Sequence, residues 1–159
     1  QKEPTMTPAA WTRLTGSDDP VRIWPRAGES EVMKKKPTIL IVEDEPHQRL
    51  LYEDELRRRG FDTLTAADGE RCLENLLAMD IDLIVLDIRL PGMDGIDLLS
   101  RIRGHDRTIP IVINTAYSGY AENYLTWPAD AFVVKSSDLT QLVDKVIRLT
   151  QTKRGVAAE

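Results

Sequence analysis

The chain has 159 residues, 42% of them hydrophobic, a single cysteine and a formal charge of −5. That length and apolar share predict one domain with a core that needs no disulfide help, and the acidic balance argues against nucleic-acid binding, which requires a basic footprint. No apolar stretch approaches the ~18 residues of a membrane span and no basic-then-apolar leader stands at the N-terminus, so a soluble, cytoplasmic chain is expected, with Cys72 as a small packing residue.

Residues 1–36 show no sustained periodicity, and Pro4, Pro8, Pro20 and Pro25 interrupt any regular element. This segment is expected to be a tail. Met33-Lys34-Lys35-Lys36-Pro37 precedes the first strand as a natural start would, which makes the residues before Met33 upstream or appended sequence. Trp11 and Trp24 are the exception, since aromatics of this kind dock on apolar surfaces.

From Pro37 onward, strand-like and helix-like runs alternate five times. The strands are read at Thr38 to Val42, Asp62 to Ala66, Leu83 to Leu86, Ile111 to Asn114 and Ala131 to Val134. The helices are read at Pro46 to Arg59, Gly69 to Met79, Gly95 to Arg103, Tyr120 to Leu125 and Asp138 to Thr150. Strands alternating with helices at this spacing predict an α/β fold: a doubly wound, five-stranded parallel sheet of flavodoxin-like order 2-1-3-4-5, with helices on both faces. The last helix carries the clearest stripe, Leu139, Leu142, Val143, Val146, Ile147 and Leu149, with Asp138 as its N-cap. The fourth is the weakest, because Gly119 and Pro128 leave room only for a short or displaced element. Within it, Tyr120, Tyr124 and Trp127 form either a partner-binding aromatic face or ordinary packing. The domain is thus read over residues 37–150, with 151–159 as a C-terminal tail.

Arg57-Arg58-Arg59 reads as the solvated end of a helix, where cations complement the dipole, and His47 and His105 read as isolated surface residues with no ligand partner in spacing.

The chemistry lies at the strand ends. Leu83-Ile84-Val85-Leu86 ends in Asp87 and the turn Ile88-Arg89-Leu90-Pro91-Gly92-Met93-Asp94-Gly95; Ile39 to Val42 ends in Glu43-Asp44; the fourth strand ends in Asn114-Thr115; and Phe132-Val133-Val134 ends in Lys135. In a parallel sheet of this kind the carboxyl ends of the strands form the rim where ligands bind. Singly, each residue has a plain reading as a turn former, a strand terminator or an exposed end. Together they bring three acids, a hydroxyl and an ammonium to one edge. Carboxylates ~4 Å apart do not all stay ionised cheaply, and a divalent cation resolves the conflict. Oxygen-only ligands suit Mg2+, whereas zinc would ask for a Cys/His cluster that the sequence lacks.

This set, in this chain order from about Pro37 to Thr150, resembles the receiver domain of two-component response regulators. The resemblance implies that Asp87 is the phosphoacceptor, that Asp44, Asp87 and the main-chain carbonyl of Arg89 bind Mg2+ directly, and that Glu43 acts through water. It further implies that Lys135 and Thr115 contact the phosphoryl oxygens, and that Thr115 with Phe132 switches a face built from the fourth helix, fifth strand and fifth helix. The implied partners are a sensor histidine kinase or phosphotransfer protein and a downstream protein target, with no direct contact to nucleic acid or membrane and a homodimer left open. Three features depart from the family pattern: Ser136 follows the lysine where receivers usually carry proline, Phe132 lacks a phenolic hydroxyl, and the bulky Arg89 and Tyr117 border the path of an attacking water. Arg89 is expected to pair with Glu43 or with a phosphoryl oxygen.

Two alternatives remain at this level. A Mg-dependent phosphatase of the haloacid-dehalogenase kind also uses a strand-end aspartate, but needs a second acid where Arg89 stands. An interaction module that keeps the fold without accepting phosphate is favoured mildly by Ser136.

Overall fold

The computed structural model describes residues 35–122 and 128–156. Five strands, β1 (Thr38–Val42), β2 (Asp62–Ala66), β3 (Leu83–Leu86), β4 (Ile111–Thr115) and β5 (Ala131–Val134), form one sheet of order β2-β1-β3-β4-β5, parallel throughout. Among the described residues four α-helices connect and cover it: α1 (Pro46–Arg58), α2 (Gly69–Ala78), α3 (Gly95–His105) and α4 (Thr140–Val156).

The central strands are fully apolar because both of their faces are covered, and successive side chains alternate between two cores. On one face Leu40, Val42, Ile84, Leu86, Ile111 and Ile113 meet Cys72 and Leu76 of α2 and Leu98, Leu99 and Ile102 of α3. On the other, Ile39, Ile41, Leu83, Val85 and Val112 meet Tyr52 and Leu56 of α1 and Leu142, Val143 and Val146 of α4. This double burial fixes the register, since a slip of one residue would exchange the two faces. In that register Val42 stands beside Leu86 and Leu86 beside Ile113, so Glu43, Asp87 and Asn114 follow at one level of the rim, with Thr115 one residue beyond.

Three of the helices start on acids. Glu45 accepts from the amides of His47 and Gln48 at 3.1 and 2.7 Å, Asp68 from Arg71 at 2.8 Å, and Asp94 from Ile96 at 2.8 Å. The Arg57–Arg59 run makes i, i+4 ion pairs with Glu53, Asp54 and Glu55, as a solvated helix end does. His47 and His105 are exposed and Cys72 is buried, as expected.

Beyond helix ends that shift by one or two residues, at Arg58 of α1, Ala78 of α2 and His105 of α3, the elements differ from the expected spans in three places. Strand β4 includes Thr115, because it pairs with Val134. The connection after it holds a 3-10 turn at Ser118–Glu122 in place of an α-helix beginning at Tyr120, and the remainder of that stretch, with Tyr124, Leu125 and Trp127, lies outside the described residues. Helix α4 begins at Thr140 and runs six residues past Thr150, so most of the C-terminal segment read as tail is helical. Asp138, expected as its N-cap, stands one residue before the cap position of Leu139 and braces the helix start, accepting from the Thr140 amide at 2.9 Å and the Thr140 hydroxyl at 2.6 Å. The tail read at the N-terminus, with Trp11 and Trp24, lies outside the described residues up to residue 34. Among the described residues no helix is long and apolar enough to cross a membrane.

Candidate functional site

Glu43, Asp44, Asp87, Thr115 and Lys135 meet at the carboxyl rim of β1, β3, β4 and β5. Glu43 and Asp87 are buried and Asp44 is exposed, and the three carboxylates each present an oxygen within 4.8 Å of the others. Lys135 reaches across the rim. Its Nζ donates to Asp87 Oδ2 at 2.7 Å and lies 2.6 Å from Glu43 Oε2, an ion pair without hydrogen-bond alignment. The Lys135 amide donates to the Thr115 carbonyl at 2.8 Å, which fixes the main chain of one site residue to that of the other.

The electrostatics arise from this crowding. Burial pushes the Glu43 carboxyl above its ordinary range, against the Lys135 contacts that lower it. Burial also works against the Lys135 ammonium, but the bonds and charges of Asp87 and Glu43 outweigh it and hold its pKa above the ordinary value. Three carboxylates with one ammonium leave an excess of negative charge at a half-open rim. All the donors are hard oxygens, and an exposed member, Asp44, opens the cluster to solvent, so the set fits Mg2+ with room for water. A second observation points the same way: the Thr115 hydroxyl is fully buried and has no hydrogen-bond partner among the described residues. A buried hydroxyl left without a partner costs free energy unless a ligand completes it.

The loop that carries Asp87 closes on itself. Arg89 N donates to Asp87 Oδ1 at 3.0 Å, Arg89 pairs with Asp94 in an antiparallel bridge, and Gly95 N donates to Ile88 O at 3.0 Å. Only glycine fits at position 95, since a Cβ on Gly95 would stand 2.3 Å from the Ile88 carbonyl oxygen. Gly92 takes a φ of +79° in the same turn, a conformation natural to glycine.

The Arg89 guanidinium does not take the Glu43 pairing. It stacks over the Tyr117 ring, 3.8 Å from the centroid, while Lys135 takes the place beside Glu43. A weakly hydrated planar cation gains more from an aromatic face at a partly exposed site than from a carboxylate already paired. Phe132 is half-buried and packs against the core on the α2/α3 face, and the Lys135–Ser136 bond is trans. One contributor escaped the sequence reading. Arg49, one turn into α1, donates through Nη1 to the carbonyls of Glu43 at 2.7 Å and Asp44 at 3.2 Å. Its only signal was an arginine one helical turn after an acidic strand end.

A parallel sheet of order 2-1-3-4-5, with an acidic pair, a third acid, a hydroxyl and an ammonium at one rim, defines the receiver class of signalling domains. The chain belongs to the response regulator receiver domain family, which it matches over residues 39–147. It is 34% identical over 124 residues to the transcriptional regulatory protein PrrA of Mycobacterium leprae, covering 77% of this chain and 53% of that one, so it spans about half the length of this relative. Among solved structures it resembles the response regulator TrrA of Thermotoga maritima in complex with Mg2+–BeF, at 38% identity and a TM-score of 0.69, covering 71% of this chain and 98% of that chain. The same protein in complex with the histidine kinase ThkA matches at 38% identity and a TM-score of 0.68, over 71% of this chain and 97% of that one. The family match sets aside the haloacid-dehalogenase reading.

Proposed function

We propose that this receiver accepts a phosphoryl group on Asp87 in a Mg2+-dependent transfer from a phosphohistidine of a sensor kinase or phosphotransfer protein. An Asp87 carboxylate oxygen attacks phosphorus, the phosphorus–nitrogen bond to the donor imidazole breaks, and an acyl phosphate remains on Asp87 as the histidine leaves. The observation that carries this is the convergence of three carboxylates within 4.8 Å on a single ammonium beside an unpartnered buried hydroxyl.

Asp44, Asp87 and the Arg89 carbonyl would hold Mg2+ directly and Glu43 through water, and the ion when bound would neutralise carboxylate and phosphoryl charge. The chain's own residues do the positioning. Lys135, already in contact with Asp87, stays with the acceptor and balances charge on an equatorial phosphoryl oxygen. The Thr115 hydroxyl gains the partner it lacks by donating to another phosphoryl oxygen, and its inward movement opens space for Phe132. The charge change at Asp87 is thereby converted into a change of the surface around β5 and α4. That surface would meet a downstream protein target, and the setting would be cytoplasmic.

For the domain limits, we propose that the receiver extends from Pro37 to the end of α4, and that the domain assists no chemistry other than its own phosphorylation and dephosphorylation.

The test is incubation with acetyl phosphate and Mg2+, followed by intact mass. One phosphoryl group is expected on the parent and none on Asp87→Asn. A variant that gains it at the parental rate would show that the acceptor lies elsewhere, and a parent that gains none in any amount would favour a phosphate-independent interaction module.

A further inference from the structure

Strand β1 runs out of sheet partners where its chemistry begins. Beyond Val42 the last main-chain tie to the sheet is Glu43 N, which donates to Ala66 O at 3.0 Å, and three residues later α1 has started. The carbonyls of Glu43 and Asp44 fall in this short junction, and rotation of either peptide would redirect both acidic side chains. Both carbonyls accept from one atom, Arg49 Nη1. Arg49 is half-buried and rooted in the first turn of α1, whose start is itself fixed by the Glu45 cap.

We propose that Arg49 is a positioning residue for the metal site, holding the Glu43–Asp44 peptide so that both carboxylates face Asp87. This rests on the reading of Asp44 as a direct Mg2+ ligand and of Glu43 as one that acts through water. Groups that orient metal ligands from behind typically govern metal affinity by ~10- to 100-fold. The sign of the effect separates positioning from charge. A guanidinium near a dication repels it, so deleting a cation that acted only through space would tighten Mg2+ binding. Deleting one that holds the ligands in place weakens it.

The experiment is calorimetric titration of the full chain with MgCl2, comparing the parent, Arg49→Met and Arg57→Met. Methionine keeps the aliphatic stem and removes the donors. Arg57 lies on the same helix and removes the same charge, but its partners are Glu53 and Thr63 and not the acidic junction. Arg49→Met is expected to raise the Mg2+ dissociation constant about tenfold, at the low end for residues of this kind, with Arg57→Met unchanged. A change in Arg49→Met smaller than about threefold, tighter binding, or an equal loss in Arg57→Met overturns the assignment while leaving the metal site standing. A parent that binds no Mg2+ overturns both. Should Arg49→Met not fold, Arg49→Gln, too short to reach either carbonyl, is read by the same limits.

Discussion

At the scale of single residues, the Arg89–Tyr117 stack is placed to affect the lifetime of the phosphorylated state. The two side chains extend from the turns just beyond Asp87 and Thr115 and meet face to face at 3.8 Å, joining the two turns beside the site. Water attacking an acyl phosphate must approach in line, and a stacked pair narrows that approach more than two independent side chains would. Replacing both in Arg89→Ala/Tyr117→Ala should therefore speed the decay of the phosphorylated protein; identical decay in parent and variant would remove the shielding idea. Gly95 gives a second test. Its Cβ would meet the Ile88 backbone at 2.3 Å, so Gly95→Ala should lower stability by about 1–3 kcal/mol or more, read from urea midpoints. Residue identities at the rim were legible because strand ends in a parallel sheet share a level. The contacts among them were not. Whether Arg89 turned to Glu43 or to Tyr117, and that Arg49 reached back to two carbonyls, depended on side-chain conformations that no spacing encodes.

At the scale of elements, strands were read almost residue for residue, because β1, β3, β4 and β5 are short apolar runs closed by an acid, a polar residue or a lysine, and β2 alternates threonine with apolar residues. Helix ends were harder. The apolar stripe of α4 stops at Leu149, yet the helix continues past Thr152 on Gln151, Lys153 and Arg154, which favour helix and place two cations in the last turn. A polar extension of this kind carries no periodicity to distinguish it from a tail. The connection between β4 and β5 is short and interrupted by Gly119 and Pro128, and its described part winds as a 3-10 turn. Its far end is fastened instead by Arg103 of α3, which donates to the carbonyls of Pro128 and Ile109 and to Asp130 Oδ2, each at 2.6 Å. The start of α4 offers a pH test. The Thr140 hydroxyl and amide hold the Asp138 carboxyl below its ordinary 3.8. A carboxyl depressed in the folded state stabilises above its ordinary pKa and loses that contribution as pH falls through its folded value. The gap in thermal midpoint between parent and Asp138→Ala should thus be open at neutral pH and narrow below about pH 3.8. A gap that widens on acidification would rule out the Asp138 carboxylate as its source.

At the scale of the whole molecule, residues 36–159 form a unit of their own, and both cores are complete within it. Deleting residues 1–32, which are proline-interrupted and lack core periodicity, should leave the thermal midpoint almost unchanged; a fall of several degrees would instead place Trp11 or Trp24 on the fold. The closed loop around Asp87 has one more consequence. With Asp87 bonded to Arg89, Arg89 bridged to Asp94 and Gly95 bonded to Ile88, the acceptor side of the rim is a buckle without slack. On the opposite side Thr115 and Lys135 are coupled through the main chain, and the described segment after Thr115 turns as a 3-10 helix over Ser118–Glu122. Were Asp87 the phosphoacceptor, its closed loop would serve as a fulcrum, and the movement would fall to the β4 and β5 side of the rim.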